Sequence, residues 1–290
     1  MKKLIIVLGV LGASLSAIFV RLADAPSLVL VLYRVLFATI LLVPVIVLRH
    51  RDELRQLQIK PLLLSMLSGV FLGLHFTFYF ESLRWTSIAA AVVLTDTEVF
   101  FVALAMFVLL KEKISARGWI GIAITFAGGV LIALSDAGNG SDALRGDLLA
   151  IGAAFFVAVY TLIGRYCRRT MSTFVYTFVV YAASSCTVLI LLLFRGTQLL
   201  GYASVNYLSG LGLAVFCTLL GHSVFSWGLK YEKASFVSVA KLLEPVFASI
   251  LGLILFAEVP AMLVVVGGVV VITGITIQMG KGISKKENLR

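Results

Sequence analysis

Charge is scarce in this chain. Of 290 residues only 13% are Asp, Glu, Lys or Arg, and the acids number 14. A water-soluble domain of this length would need far more polar surface, so a soluble fold is excluded. Cysteine is nearly absent. Cys167, Cys186 and Cys217 have no paired short spacing, which excludes thiolate metal sites and redox motifs, and each reads as a buried, inert thiol. Catalytic signatures are missing too. There is no Gly-x-Ser-x-Gly, no His-Glu-x-x-His and no P-loop. Nothing therefore points to an enzyme, an ATP-driven pump, a metal centre or a cofactor. Two-residue alternation is also missing, which argues against a membrane β-barrel.

Apolar surface is abundant. Hydrophobic residues make up 61% of the chain, and the mean hydropathy is +1.08. Ten apolar runs are read at about 4–22, 28–48, 61–82, 87–110, 116–135, 146–164, 173–194, 206–229, 235–256 and 261–280. A helix of ~20 residues crosses a ~30 Å hydrocarbon core. Backbone groups left unpaired in lipid are costly, so the runs read as transmembrane helices of an all-α membrane protein.

The formal charge of +10 could suggest nucleic acid, but its placement argues otherwise. Basic residues cluster in alternate connections: Lys2/Lys3, Arg49/Arg51/Arg55/Lys60, Lys111/Lys113/Arg117, Arg165/Arg168/Arg169, Lys230/Lys233 and Lys281/Lys285/Lys286/Arg290. This is the positive-inside pattern. It places both termini in the cytoplasm and the chain in the cell (inner or plasma) membrane, with the lipid bilayer as partner and no nucleic acid. The start of the chain, with Ala13, Ser14, Ser16 and Ala17 after an apolar stretch, imitates a signal peptide. It is expected to stay as the first helix, because the apolar stretch continues through Phe19 and Val20.

Ionisable residues inside the runs are few, and two of them occupy matching places in the two halves. Glu98 and Glu244 stand 146 residues apart. At the same offset Glu112 meets Glu258, Gly121 meets Gly267, and Gly128 meets Gly274. The turn-forming stretch at 136–145 separates the halves. Five helices per half is an odd number, so the second half enters the membrane inverted. The expected organisation is two five-helix inverted-topology repeats, 1–138 and 146–281, with a cytoplasmic tail at 282–290. That is an architecture of secondary transporters, whose substrate sites lie near mid-membrane between the repeats.

Several segments carry a family resemblance. They are Leu32-Tyr33-Arg34-Val35-Leu36-Phe37-Ala38, Ser82-Leu83-Arg84-Trp85-Thr86-Ser87 and Leu109-Leu110-Lys111-Glu112-Lys113-Ile114-Ser115 in the first half. In the second half they are Leu243-Glu244-Pro245-Val246-Phe247-Ala248 and Leu255-Phe256-Ala257-Glu258. Together they resemble the drug/metabolite transporter (DMT) superfamily, specifically its EamA type. The resemblance implies ten helices, inward termini, a cavity lined by helices one to four and six to nine, and helices five and ten at the periphery. Gly118, Gly121, Gly128 and Gly129, with Gly267, Gly268 and Gly274, fit close packing of those two. Both a monomer and a homodimer fit, packing within one chain being the preferred use. The family often carries Pro where this chain has Val99, as at Pro245, so helix four is expected to be straighter than helix nine.

The candidate site follows from cost. A charge at mid-bilayer depth costs roughly 2.5–3.5 kcal/mol on insertion scales. Duplicated acids at that depth therefore suggest a substrate or ion path. Glu98 and Glu244 read as proton or cation sites, against a structural reading as acids bonded to neighbouring helices. Lys241, three residues before Glu244, shares its helix face and reads equally as an internal ion pair or a substrate contact. Asp96 lies about 200° around a helix from Glu98. Only Glu98 is expected to face the cavity, with Asp96 bonded to a neighbour or nearer the outer mouth. Arg34 is a partner for either acid or an anchor of the fold. His75 with Tyr79, and His222 beside Trp227, read as relay or substrate contacts or as packing histidines. Glu112 and Glu258 read as structural or gating residues.

The interior inventory of Arg34 and Lys241 against Asp96, Glu98 and Glu244 suits a zwitterion such as an amino acid, or an organic cation exchanged for protons. The leading expectation is an alternating-access exporter of such a small molecule, export being what the resemblance implies. An uncoupled facilitator is the alternative. A nucleotide-sugar or sugar-phosphate carrier, which would want more interior Arg and Lys, is the weaker one.

Overall fold

The computed structural model describes residues 2–110, 115–137, 141–231, 241 and 243–279. Among them the chain is helical, with no strand. Helix α1 spans Lys2–Leu22. Helix α2 spans Ser27–Val45 and continues through a π-turn stretch, Ile46–His50, into Arg51–Arg55. Helix α3 spans Ile59–Trp85. Helix α4 comes in two pieces, α4a (Ile88–Asp96) and α4b (Glu98–Leu110). Then come α5 (Ala116–Ala137), α6 (Ser141–Cys167) and α7 (Thr173–Phe194). Helix α8 runs from Ser204–Gly212 through a π-helical Leu213–His222 into Ser223–Tyr231. Helices α9 (Glu244–Phe256) and α10 (Met262–Met279) follow. Glu112, the turn at 138–140 and the tail at 282–290 lie outside the described residues.

Six of these helices are long and apolar enough to cross a membrane, and four shorter apolar ones accompany them. Helices satisfy their own backbone, which is why apolar runs of this length adopt no other form in lipid. The outer surface is correspondingly greasy. Leu48, Phe126, Phe194 and Ile254 are all at least 70% exposed, while Arg34 is 1% exposed. Apolar side chains outside and a guanidinium inside invert the arrangement of a water-soluble protein.

The packing has an internal order. Helix α3 lies on α6 and α7, and α8 lies on α1 and α2. Helix α4 lies on α6, and α9 on α1; α2 meets α7, α4a meets α9, and α5 runs along α10. Exchanging each helix with the one five further along reproduces this set of pairings. The α5–α10 contact shows the exchange in atoms. A Cβ on Gly128 would sit 2.7 Å from Gly267 O, and one on Gly274 would sit 2.7 Å from Gly121 O. These are the glycines that coincide at the 146-residue offset, and here they serve close approach within one chain. Gly129 and Gly268, one residue along, instead face Leu94 and Val93 of α4a at 3.7 and 3.5 Å.

Helix four departs from expectation. It is not straighter for lacking a proline; it breaks at Thr97. The Thr97 backbone N–H donates to Leu94 O at 3.2 Å, and its hydroxyl donates to the same oxygen at 2.6 Å. Phe100 N–H then bonds Thr97 O at 2.9 Å. Short polar side chains compete with the helical ladder in this way, and Thr95, Asp96 and Thr97 are three in a row. In the second half, Leu243 is the turn residue and α9 starts at Glu244 with Pro245 behind it. Thr97 and Leu243 stand at the same 146-residue offset as the two glutamates. Each acid thus opens a helix piece, where the positive end of the helix dipole favours a carboxylate.

Candidate functional site

The two breaks aim their acids into one cavity. Eight of the nine residues singled out from sequence line it: Arg34, His75, Tyr79, Asp96, Glu98, His222, Lys241 and Glu244. Phe76 and Phe225 add aromatic wall, and Ala13, Ser16, Val92, Thr95 and Val157 complete it. Trp227 is the exception. It packs outside the lining, against the cluster of Ile6, Val10, Ala13 and Phe225. The free space is about 30 Å³ to the centre of a water-sized sphere, room for about two waters. The cavity is small and largely filled by its own side chains.

Lys241 Nζ donates to Glu98 Oε1. This replaces the expected pair between Lys241 and Glu244. Helical i,i+3 spacing does not carry across the turn at Leu243, so the ammonium turns to the acid of the other half. Its ammonium also lies 5.8 Å from the Phe225 ring centroid. Among the described residues, Glu98 Oε2, Asp96 Oδ2 and Thr95 Oγ1 are buried without a hydrogen-bond partner. Asp96 was expected to turn away from Glu98. Both line the cavity, because the break at Thr97 cancels the 200° rotation of a continuous helix.

Arg34 has no carboxylate partner within ion-pair distance among the described residues. Its Nε donates to Thr218 Oγ1 at 2.8 Å and its Nη1 to Ser16 Oγ at 3.1 Å. The guanidinium carbon stands 3.7 Å over the Phe76 ring. Thr218 lies in the π-helical stretch of α8, and its own hydroxyl donates five residues back to Leu213 O at 3.0 Å. Stretches of this kind are frequent at functional sites. His75 Nδ1 lies 3.0 Å from Ala153 O. A carbonyl only accepts, so Nδ1 carries the proton and Nε2 is left as the acceptor of the neutral ring. The His75 and His222 rings, one residue off the repeat register, stand 6.1 Å apart, and the Tyr79 ring is stacked 6.2 Å from His75.

Sequence reasoning passed over Ser16, Thr95 and Thr218. Ser16 belongs to the small-residue stretch that imitates a signal peptide, and its hydroxyl in an apolar run was the available signal.

Known proteins agree with this architecture. The model of the EamA-like transporter family matches residues 2–134 and again 144–279. The chain belongs to that family. Its relatives include an "Uncharacterized transporter" of Archaeoglobus fulgidus, 27% identical over 223 residues, 74% of each chain. "Solute carrier family 35 member G1" of Homo sapiens is 25% identical over 271 residues, covering 89% of this chain and 73% of the relative. "Uncharacterized transporter YdfC" of Bacillus subtilis is 25% identical over 249 residues, 85% of this chain and 79% of that one. A solved crystal structure superposes with a TM-score of 0.67 at 18% identity, covering 95% of both chains, which shows a shared fold. This EamA-like protein is a multi-pass membrane transporter of the drug/metabolite type.

Among the described residues, the two ends of the transporter carry different ties. At one end, Glu258, just past α9, reaches across to the start of α4a and accepts from Ile88 N–H at 2.6 Å. Arg21 at the end of α1 donates to Thr86 O at 2.9 Å and lies 3.6 Å from Glu258. The Thr86 hydroxyl donates to Asp147 of α6 at 2.9 Å. Arg84 donates to Ser27 Oγ at 2.5 Å and to Ala25 O, while Glu81 accepts from Trp85 Nε1 at 3.1 Å. At the opposite end, Glu53 accepts from Ser172 N–H at 2.6 Å, joining the tail of α2 to the start of α7. The basic clusters around Arg51 and Arg168 lie at this end.

Proposed function

We propose that this EamA-like protein is a secondary active exporter of a small zwitterionic or cationic metabolite, amino acid-like or an organic cation, working by alternating access with protons as the coupling ion. The single observation behind the reading is the cavity. Asp96, Glu98 and Glu244 meet there with Lys241 and Arg34, and aromatic rings form the rest of the wall. Acid–aromatic walls suit an ammonium group. A phosphate-bearing substrate is disfavoured, because Lys241 is paired and Arg34 is held by hydroxyls. Export and the cytoplasmic position of both termini rest on the resemblance and on the distribution of basic residues.

The same proposal includes ten membrane-spanning helices in two inverted repeats, 1–138 and 146–281. Three features support it: the helix pairings that survive exchange, the crossed glycines of α5 and α10, and the two breaks at one offset. Rocking one set of helices against the other would open the cavity to alternate sides.

The test is transport current on a solid-supported membrane from proteoliposomes, across neutral amino acids, basic amino acids and organic cations, with and without a proton gradient. A substrate-specific current that grows with the gradient is expected. Glu98→Gln and Glu244→Gln should each abolish gradient-driven accumulation while leaving exchange of the same substrate. Labelled substrate that equilibrates in the wild type with no response to the gradient would demote both acids to structural ones and favour a facilitator.

A further inference from the structure

The acid of the site is duplicated, but the cation is not. Glu98 and Glu244 are mates at the 146-residue offset, whereas the mate of Lys241 is Thr95. Lys241 nonetheless reaches across to the first half and sits on Glu98. Among the described residues, no other lysine or arginine of the cavity pairs with its acids. Asp96 Oδ2 and Glu98 Oε2 are buried without partners among the described residues, and Arg34 is committed to Ser16 and Thr218.

A cavity carrying uncompensated carboxylates cannot cross low-dielectric surroundings cheaply, since an unpaired buried charge is strongly unfavourable. A bound cationic substrate would supply the compensation on one leg of the cycle. The return leg, with no substrate in the site, needs other positive charge: protons on some of the acids, and a cation beside any carboxylate that stays ionised. We infer that Lys241 is a tethered stand-in for the substrate's ammonium, filling the acidic cavity when no substrate is bound and so allowing the empty carrier to reorient. The small cavity, with room for about two waters, fits such a self-occupied state. Lys241 is then a positioning residue for the return step of the proton-coupled cycle. The inference rests on the alternating-access reading above, but not on the identity of the substrate.

The experiment uses the full chain in lipid nanodiscs with no substrate, read by double electron–electron resonance. One spin-label pair spans the Glu258 end, Leu144→Cys on α6 with Val259→Cys after α9. The other spans the Arg51 end, Tyr166→Cys on α6 with Ile5→Cys on α1. Cys186, which is exposed where a buried thiol was expected, is replaced by serine. Wild type is expected to show two distance populations at each end. Lys241→Gln should reduce the minor one about tenfold or more, since Glu98 is left uncompensated. Lys241→Arg should keep both populations, and Glu98→Gln/Lys241→Gln should regain them.

A single population in empty wild type, unchanged populations in Lys241→Gln, or a double variant as restricted as the single one would each overturn the inference. If Lys241→Gln does not fold, the double variant decides alone: two populations support the stand-in and one refutes it. Failure of the whole substrate panel with these distances behaving as expected would remove the proposed substrate class and leave the role of Lys241 in place.

Discussion

At the scale of single residues, two cations have opposite employments. From sequence, Arg34 reads as a partner for an acid or an anchor of the fold, and Lys241 as an ion-pair partner or a substrate contact. Arg34 is built into the scaffold, with two hydroxyl acceptors and an aromatic face beneath it. Lys241 is the one on a carboxylate. The chemistry of the groups fits this division. A guanidinium offers several directed donors and a flat face for stacking, while an ammonium is a compact charge on a flexible stem. Removing both acceptors, by Ser16→Ala with Thr218→Val, should therefore leave buried donors unsatisfied. The expected loss is about 1–3 kcal/mol for each unsatisfied group, read as a lowered melting temperature in detergent. An unchanged melting temperature would mean that Arg34 is anchored by something other than these hydroxyls. The residue types of this site were legible in advance; their partners were not, because each bond joins residues far apart in the chain.

At the scale of helices, the informative places are where the ladder fails. Thr95, Asp96 and Thr97 interrupt α4 without a proline, and the same step in the second half falls just before Glu244-Pro245. Reading Asp96 and Glu98 as opposite faces of one helix was sound geometry applied to a helix that does not continue. The α5–α10 contact gives a sharper case. Gly128 and Gly129 are neighbours in sequence, but only Gly128 lies against backbone of the opposing helix. Gly128→Ala should lower stability by about 1–3 kcal/mol through overpacking. Gly129→Ala, with 3.7 Å to the nearest side-chain atom, should be neutral or stabilise by up to ~1 kcal/mol through helix propensity. Thermal unfolding of the two variants side by side checks this. Equal effects would mean that the helices are not in contact along this face.

At the scale of the whole molecule, the two ends differ, among the described residues, in what holds them. The bridge of Glu258, Arg21, Thr86 and Asp147 ties the ends of α9, α1, α4a and α6 together across this end. Glu258 was read from sequence as a structural or gating residue, and its bond to Ile88 N–H gives that reading a geometry. Glu258→Gln keeps the side-chain oxygen but removes the charge facing Arg21. It should make a cysteine placed at Ala13, on the cavity wall, more accessible to a membrane-impermeant maleimide applied from the Glu258 side of sealed vesicles. Labelling equal to that of the unaltered protein would show that access from this side does not depend on this charge.

The class of the protein, the positions of its apolar helices, and the pairing of Glu98 with Glu244 across the halves were all determined by the sequence itself. Those properties are local or repetitive: hydropathy is a property of a window, lipid leaves an apolar window few conformations other than helix, and a duplication can be found by sliding the chain along itself. Tertiary structure decided the rest. It set Lys241 on Glu98, 143 positions away, gave Arg34 to hydroxyls in place of acids, and brought His75 beside His222. It also turned Asp96 and Glu98 into one cavity through a break that no proline announces. Each of these depends on distances across packed helices and on where a helix is interrupted, and neither quantity is encoded in the periodicity of a single segment.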